Sequence, residues 1–334
     1  MGKQNCVILC PLPWFLAMFK FSRSSIGLCF SLAATFFSGG LVANGQQATK
    51  KQKTEDTTVS SPNERFLRIR LDRKGRPVAM ETSIVRYQTK NADGETVIVD
   101  LIGAVHVGGQ DYYDALNKQF EQYESLLYEL VAPEGTIIPK GGRVEGESEG
   151  FSLNPVGGLQ KGLKNLLDLE FQLEKIDYTK DNFVHADMTP TEFGESMASN
   201  DESIGGYALK AMGQSMAMQA SGKDSGTAGM LMAMFSSNKS LRMRRVMAKQ
   251  MIEMEAGLAM FEGKDGSTII DHRNAKCMKV LKRELDSGKK KIAIFYGAGH
   301  LADMEKRLIS DFEMNVGGQK WIPAWNLTKR KYQR

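Results

Sequence analysis

Apolar positions along this chain fall into short runs separated by glycine and polar turns, and the period of those runs changes from segment to segment. Phe66-Leu-Arg-Ile-Arg-Leu71 alternates and stops at Asp72-Arg-Lys-Gly75. Val78 to Tyr87 follows, then Asn91-Ala-Asp-Gly94, then a run over 96–102. Runs divided by turn residues in this way predict an antiparallel meander leading into the core. From Gln110 to Tyr123 the spacing becomes helical, with Tyr113, Leu116, Phe120 and Tyr123 on one face. Ser125 to Val131 predicts another buried strand, so 96–131 reads as a strand-helix-strand unit whose two strands are parallel neighbours. Glu129 is the acid in that second apolar run.

Further along, residues 135–160 are rich in Gly, Glu and Ser and read as a loop, while Leu163 to Ile176 has helical spacing. Thr189-Pro-Thr-Glu192 has the form of a helix start, with Pro at the first helical position and Glu at the third. Between Met188 and Met260 lie 13 of the 19 methionines, broken by Gly/Ser at 204–206 and 221–229. That predicts an insertion of three or four short helices over about 195–262. Its methionines serve as adaptable core filler, as an apolar groove for peptides or lipids, or as soft copper ligands around Met230, Met232 and Met234. Asp271 to Leu285 is amphipathic, opens on Arg273-Asn274 and ends at Ser287-Gly288. A strand at 291–296, a helix from Leu301 to Phe312, and a closing strand or arm with Trp321, Pro323 and Trp325 complete the chain. The expected fold is α/β over 64–334: a mainly parallel sheet from two related strand-helix halves, flanked by helices, with the N-terminal meander and the Met-rich insertion.

Composition changes this picture mainly at the N-terminus. Residues 1–45 carry Lys3, Lys20 and Arg23 and no acid, which leaves +2 of the +5 net charge for the rest and gives no reason to expect nucleic acid. Ile26 to Val42 is apolar, follows Lys20 and Arg23, and is followed by small residues, so 1–45 reads as a signal peptide, with Met18 the better-formed start. An uncleaved membrane anchor is the alternative. Either way the body is expected to be exported, periplasmic or extracellular, with residues 18–45 or the Met-rich insertion as routes to membrane association. Residues 46–63 are polar and read as a flexible linker. Cys6, Cys10 and Cys29 lie in the leader, so Cys277 stands alone beyond it and neither a disulfide framework nor a cysteine zinc cluster is available.

Two segments read alike: Val97-Ile-Val-Asp-Leu-Ile-Gly-Ala-Val-His106 and Ile292-Ala-Ile-Phe-Tyr-Gly-Ala-Gly-His300. Each is an apolar strand, a glycine, two small or apolar residues and a histidine. Gly103, Gly297 and Gly299 are expected to turn the backbone, and the histidines to lie at strand C-termini, where open α/β sheets place their ligands. His106 and His300 with Glu129 form a candidate site for a divalent metal, with Glu129 as ligand or general base. Arg273 is the candidate for stabilising an oxyanion or a substrate carboxylate. His185, beside Asp187, reads as an orienting pair or a support for the ligands, Asn274 as another support, and His272 as a helix-surface residue. Each feature alone also has an ordinary structural reading; the repeated strand-Gly-x-x-His unit beside a buried acid carries the inference.

Gly103-Ala-Val-His106 with Leu127-Tyr-Glu-Leu130, Arg273-Asn274 opening a helix, and Gly297-Ala-Gly-His-Leu301 together resemble the TraB/GumN family, related to the TIKI metalloproteases and the PrgY pheromone-shutdown proteins. The likeness covers roughly 95–131 and 265–312. It implies an erythromycin-esterase/ChaN-like fold and a hydrolase with manganese or cobalt, zinc being a further candidate ion, acting on peptide or protein. His106, Glu129, Arg273 and His300 match its motif positions. The chain departs at His272, where members often carry an acid, and in the Met-rich stretch. The rival expectation is a non-catalytic exported protein that sequesters a peptide, haem-like or lipid ligand.

Overall fold

The computed structural model describes residues 65–142, 166–203, 205–206, 227–258 and 267–329. The expected leader (1–45), the linker (46–63) and most of the loop at 135–160 lie outside these residues. Among the described residues, no helix is long and apolar enough to cross a membrane.

A mixed seven-stranded sheet organises the chain. Strands β1 (Leu67–Leu71), β2 (Pro77–Lys90) and β3 (Thr96–Ala104) form the expected antiparallel meander, and β9 (Asn315–Asn326) lies antiparallel along the other side of β2. Pro323 sits in β9, at the edge of the sheet, where a missing N–H is tolerated. From β3 the sheet continues through β8 (Lys291–Gly297), β5 (Ser125–Tyr128) and β7 (Phe183–His185), all parallel to one another. Ile292 to Phe295 of β8 and Leu126 and Leu127 of β5 are fully buried, as apolar runs covered on both faces should be. Asp100 interrupts the apolar run of β3 but is saturated there by Arg86, at 2.9 and 2.8 Å, and by the Tyr123 hydroxyl at 2.7 Å.

β3 and β5 are parallel, but they are not neighbours: β8 lies between them. Local patterning places β5 after β3 because the connecting helix α1 (Gln110–Phe120) is short. The central slot goes instead to the strand whose five consecutive residues Ile292 to Tyr296 are all buried. Within 163–176 the described part is not one helix. Leu166 and Leu167 are helical, but Asp168 takes φ 52, β6 (Glu170–Phe171) pairs with β4 (Val107–Gly108), and Gln172–Lys175 (α2) is a separate short helix. Pairing with the segment after His106, including the Gln172 N–H to His106 carbonyl bond at 2.9 Å, outweighs the helical spacing.

Helix α3 (Pro190–Ser199) starts with the expected capping box: the Thr189 side chain accepts from the Glu192 N–H, and the Glu192 carboxylate from the Thr189 N–H. The described part of the Met-rich stretch holds α4 (Thr227–Met234) and α5 (Lys239–Leu258), the latter 20 residues long rather than short, while 207–226 and 259–262 of the expected insertion lie outside the described residues. A π-turn over Thr268–His272 leads into α6 (Arg273–Asp286), which stops where Gly288 takes φ +90. Helix α7 (Ala298–Ser310) starts directly from β8, so His300 lies inside its first turn rather than in a loop before it.

Candidate active site

The C-terminal ends of the four parallel strands lie on one edge of the sheet. Ala104 pairs with Gly297, Tyr128 with Phe295, and Tyr128 with His185. Four chemically capable residues follow those ends at once: His106 after β3, Glu129 after β5, Asp187 after β7 and His300 after β8. Arg273 joins them from the first position of α6, the helix that precedes β8 in the chain.

Arg273 is the hub. Its Nε and Nη2 donate to Asp187 Oδ1 and Oδ2 at 2.9 and 2.6 Å, a two-toothed pair that fixes the guanidinium plane. Nη2 also donates to Glu129 Oε1 at 2.7 Å, and Nη1 stands 3.5 Å from His300 Nε2. The other Glu129 oxygen accepts from the Gly297 N–H at 2.7 Å, at the N-terminus of α7, where the helix favours a negative charge. Glu129, Asp187, Arg273 and His300 are 9, 1, 2 and 6% exposed. Burial alone would push the Glu129 carboxyl up, but Arg273, His300, His106 and the Gly297 N–H hold it well below the usual carboxylate range. Burial would likewise lower Arg273, and the two carboxylates raise it well above an ordinary guanidinium.

Asn274 sets the state of His300. Its Nδ2 donates to the His300 carbonyl at 3.0 Å and to Asp303 Oδ2 at 2.8 Å. Both are acceptors, so the remaining oxygen, 2.8 Å from His300 Nδ1, must itself accept. Nδ1 therefore carries the proton and Nε2 presents a lone pair. Burial, opposed by Glu129, pushes the imidazole down to about 4, so it is neutral at physiological pH. The Tyr296 ring lies edge-on to it at 5.3 Å, its hydroxyl donating to the Ala186 carbonyl. Asp303 and Tyr296 escaped the sequence reading. Asp303 stands three residues after His300, a helical spacing that puts both on one side of α7.

The remaining expectations divide. Asn274 and Asp187 do support the cluster, Asp187 by clamping Arg273. His185 does not join it: its Nε2 lies 2.6 Å from the Leu130 carbonyl. His272 is half-buried rather than on the helix surface, with Nδ1 2.7 Å from Ser196 Oγ. His106 is half-buried and lies close enough to act electrostatically on Glu129 and His300. The glycines are not sharp turns. Gly103 lies within β3, Gly299 within α7, and none of the three has positive φ. Gly297 matters for closeness instead: a Cβ there would meet Glu129 Oε2 at 3.3 Å.

A divalent ion shared by Glu129 and His300 does not fit this arrangement. Their facing atoms, Oε1 and Nε2, are 3.6 Å apart, a span that two ligands of one ion can have, but the Arg273 guanidinium already stands against both and adds its own positive charge where the ion would sit. Among the described residues, no three His, Cys, Asp or Glu side chains are gathered to hold a metal ion. A cavity of about 400 Å³ elsewhere, lined by Asn117, Phe120, Lys140, Lys175, Asp177 and Asn182 among others, includes none of the site residues. Comparison of the chain with family models, with curated proteins and with solved structures finds no match.

Proposed function

We propose that the chain is an exported hydrolase of peptide or protein substrates, with its reaction centre at His106, Glu129, Arg273 and His300. One observation carries this reading: a neutral imidazole with its Nε2 lone pair held 3.5 Å from a guanidinium nitrogen, at the C-terminal edge of a parallel sheet. His300 Nε2 takes a proton from the attacking water as the water oxygen bonds to the carbonyl carbon. Arg273 Nη1 faces the oxyanion that forms. The C–N bond then breaks as His300 Nε2 gives that proton to the leaving amine, which restores the neutral imidazole. Both Glu129 oxygens already accept hydrogen bonds, so Glu129 serves here to place Arg273 rather than as base. His106, on the more open side, meets the substrate. Manganese, cobalt or zinc has no step in this reading.

The same reading keeps the TraB/GumN resemblance as the chain's relationship, treats the two strand-Gly-x-x-His units as marks of two related halves, and takes about 195–262 as an insertion between them. The near-complete burial of the cluster favours a second reading, a non-catalytic binding protein whose charged cluster only holds the sheet edge together.

A peptide-library cleavage assay on the purified protein, with chelator or with Mn²⁺, Co²⁺ or Zn²⁺, tests both. Cleavage that survives chelator and falls at least about a hundredfold in His300→Ala supports the first reading. Cleavage that requires metal and is matched by bound metal lost in His300→Ala would overturn the metal-free mechanism. No cleavage by the folded protein under any condition leaves the binding protein.

A further inference from the structure

Helices α4 and α5 form a hairpin whose inner and outer faces differ sharply. Inside, Ala233, Met243 and Met247 belong to the main core, and Gly229 lets α4 approach Val246, where an added Cβ would stand 3.3 Å from its methyl. Arg244 donates to the Leu167 carbonyl at 2.7 Å and Arg245 to the Leu327 carbonyl at 2.9 Å, fastening α5 to the body. Outside, Leu231, Met232, Met234 and Phe235 are 55, 71, 49 and 88% exposed. Single exposed apolar side chains are ordinary; four within five residues on a firmly anchored hairpin form a patch that needs a partner.

Charge says which partner. Between Asp224 and Glu253 there is no acidic residue, while Lys239, Arg242, Arg244, Arg245 and Lys249 are basic. With Arg244 and Arg245 turned to carbonyls, Lys239 and Arg242 remain exposed in the first turns of α5, three residues apart and so on one side, next to the apolar tip. Large apolar side chains at a tip with cations immediately behind match the layering of a bilayer surface: acyl chains first, then anionic phosphates. Long Lys and Arg stems reach back to the headgroups while apolar neighbours sink.

We propose that this hairpin tip seats the protein on a lipid surface bearing anionic headgroups. The contact is peripheral, since among the described residues no helix is long and apolar enough to span a bilayer. It is independent of the hydrolase reading.

The test uses the full chain and vesicles of phosphatidylcholine with and without phosphatidylglycerol, so that any contribution of the apolar N-terminal segment is common to every variant. Flotation of Met232→Glu/Phe235→Glu with the anionic vesicles is expected to be weaker by on the order of tenfold or more. Lys239→Glu/Arg242→Glu is expected to shrink the preference for anionic over neutral vesicles. In Phe235→Trp, the emission added over the wild-type chain is expected to be quenched by lipids brominated on their acyl chains. Unchanged flotation of both double variants, or an added tryptophan that stays unquenched, overturns the proposal. So does sedimentation showing a dimer that Met232→Glu/Phe235→Glu dissolves while vesicle binding is unaffected, because the patch would then be covered by a second copy.

Discussion

Asn274 and His300 are joined twice: Nδ2 of Asn274 donates to the His300 carbonyl at 3.0 Å, and Oδ1 accepts from the imidazole Nδ1–H at 2.8 Å. One amide thus fixes both the first turn of α7 and the tautomer of its histidine. Asn274→Leu keeps the approximate volume and leaves the buried His300 carbonyl and Nδ1–H without their partner, while Asp303 keeps Arg307 at 2.6 Å. It should lower stability by about 1–3 kcal/mol, read from urea unfolding. Asn274→Asp still accepts from Nδ1 but adds a negative charge, so the His300 titration, followed by imidazole NMR, should move upward.

Arg273 holds two carboxylates, and removing it alone strands both. Arg273→Met should cost about 3–5 kcal/mol in chemical denaturation. Adding Glu129→Gln and Asp187→Asn to Arg273→Met should restore a substantial part of that loss. Simple additivity of the three changes would mean that the bonds at 2.6–2.9 Å do not couple them.

Acid should loosen the protein in two stages. His300 is lowered from 6.5 to about 4, so the unfolded chain binds that proton first, and stability falls as pH drops from about 6.5 to about 4. The shift corresponds to about 3 kcal/mol. Glu129 is lowered below its ordinary 4.5, so its contribution, present above that value, is lost as the pH falls further. Urea midpoints measured across this range should drop in both windows, and His300→Gln should flatten the upper one alone.

Gly297→Ala tests closeness rather than flexibility. At φ −50 and ψ 138 alanine is conformationally acceptable, but its Cβ would stand 3.3 Å from Glu129 Oε2. The variant should fold, lose about 1 kcal/mol or more of stability, and lose activity out of proportion to that loss because the carboxylate that places Arg273 is displaced. Equal, small losses in both would show that the carboxylate has room to yield.

Local patterning announced the elements whose stability is local. The meander with its Gly75 and Gly94 turns, the Thr189–Glu192 capping box and the Gly288 stop after α6 all rest on residues close in sequence. Pairings over long separations leave no such period. The Arg273–Asp187 and Arg273–Glu129 bonds join residues 86 and 144 apart, so the guanidinium's two partners were legible as separate candidates but not as one cluster. For the same reason the helical spacing at 163–176 misled: β6 is decided by its partner strand after His106. The histidines at 106 and 300 were legible because each follows a strand end marked by its own sequence, whereas His185 showed an adjacent acid without revealing that Leu130 would claim its ring.

The central strand of the sheet is also nearly the last to be made. Until β8 emerges, β3 and β5 each offer a bare edge with nothing to fill the gap between them. Strand edges in that condition invite pairing with other chains. Completing the sheet therefore requires a buried strand to enter between two others, through loop closures that span more than 150 residues. A polypeptide cut short before residue 291 would keep most of its apolar sequence and yet lack the strand that joins the β1–β2–β3 meander to the β5–β7 pair.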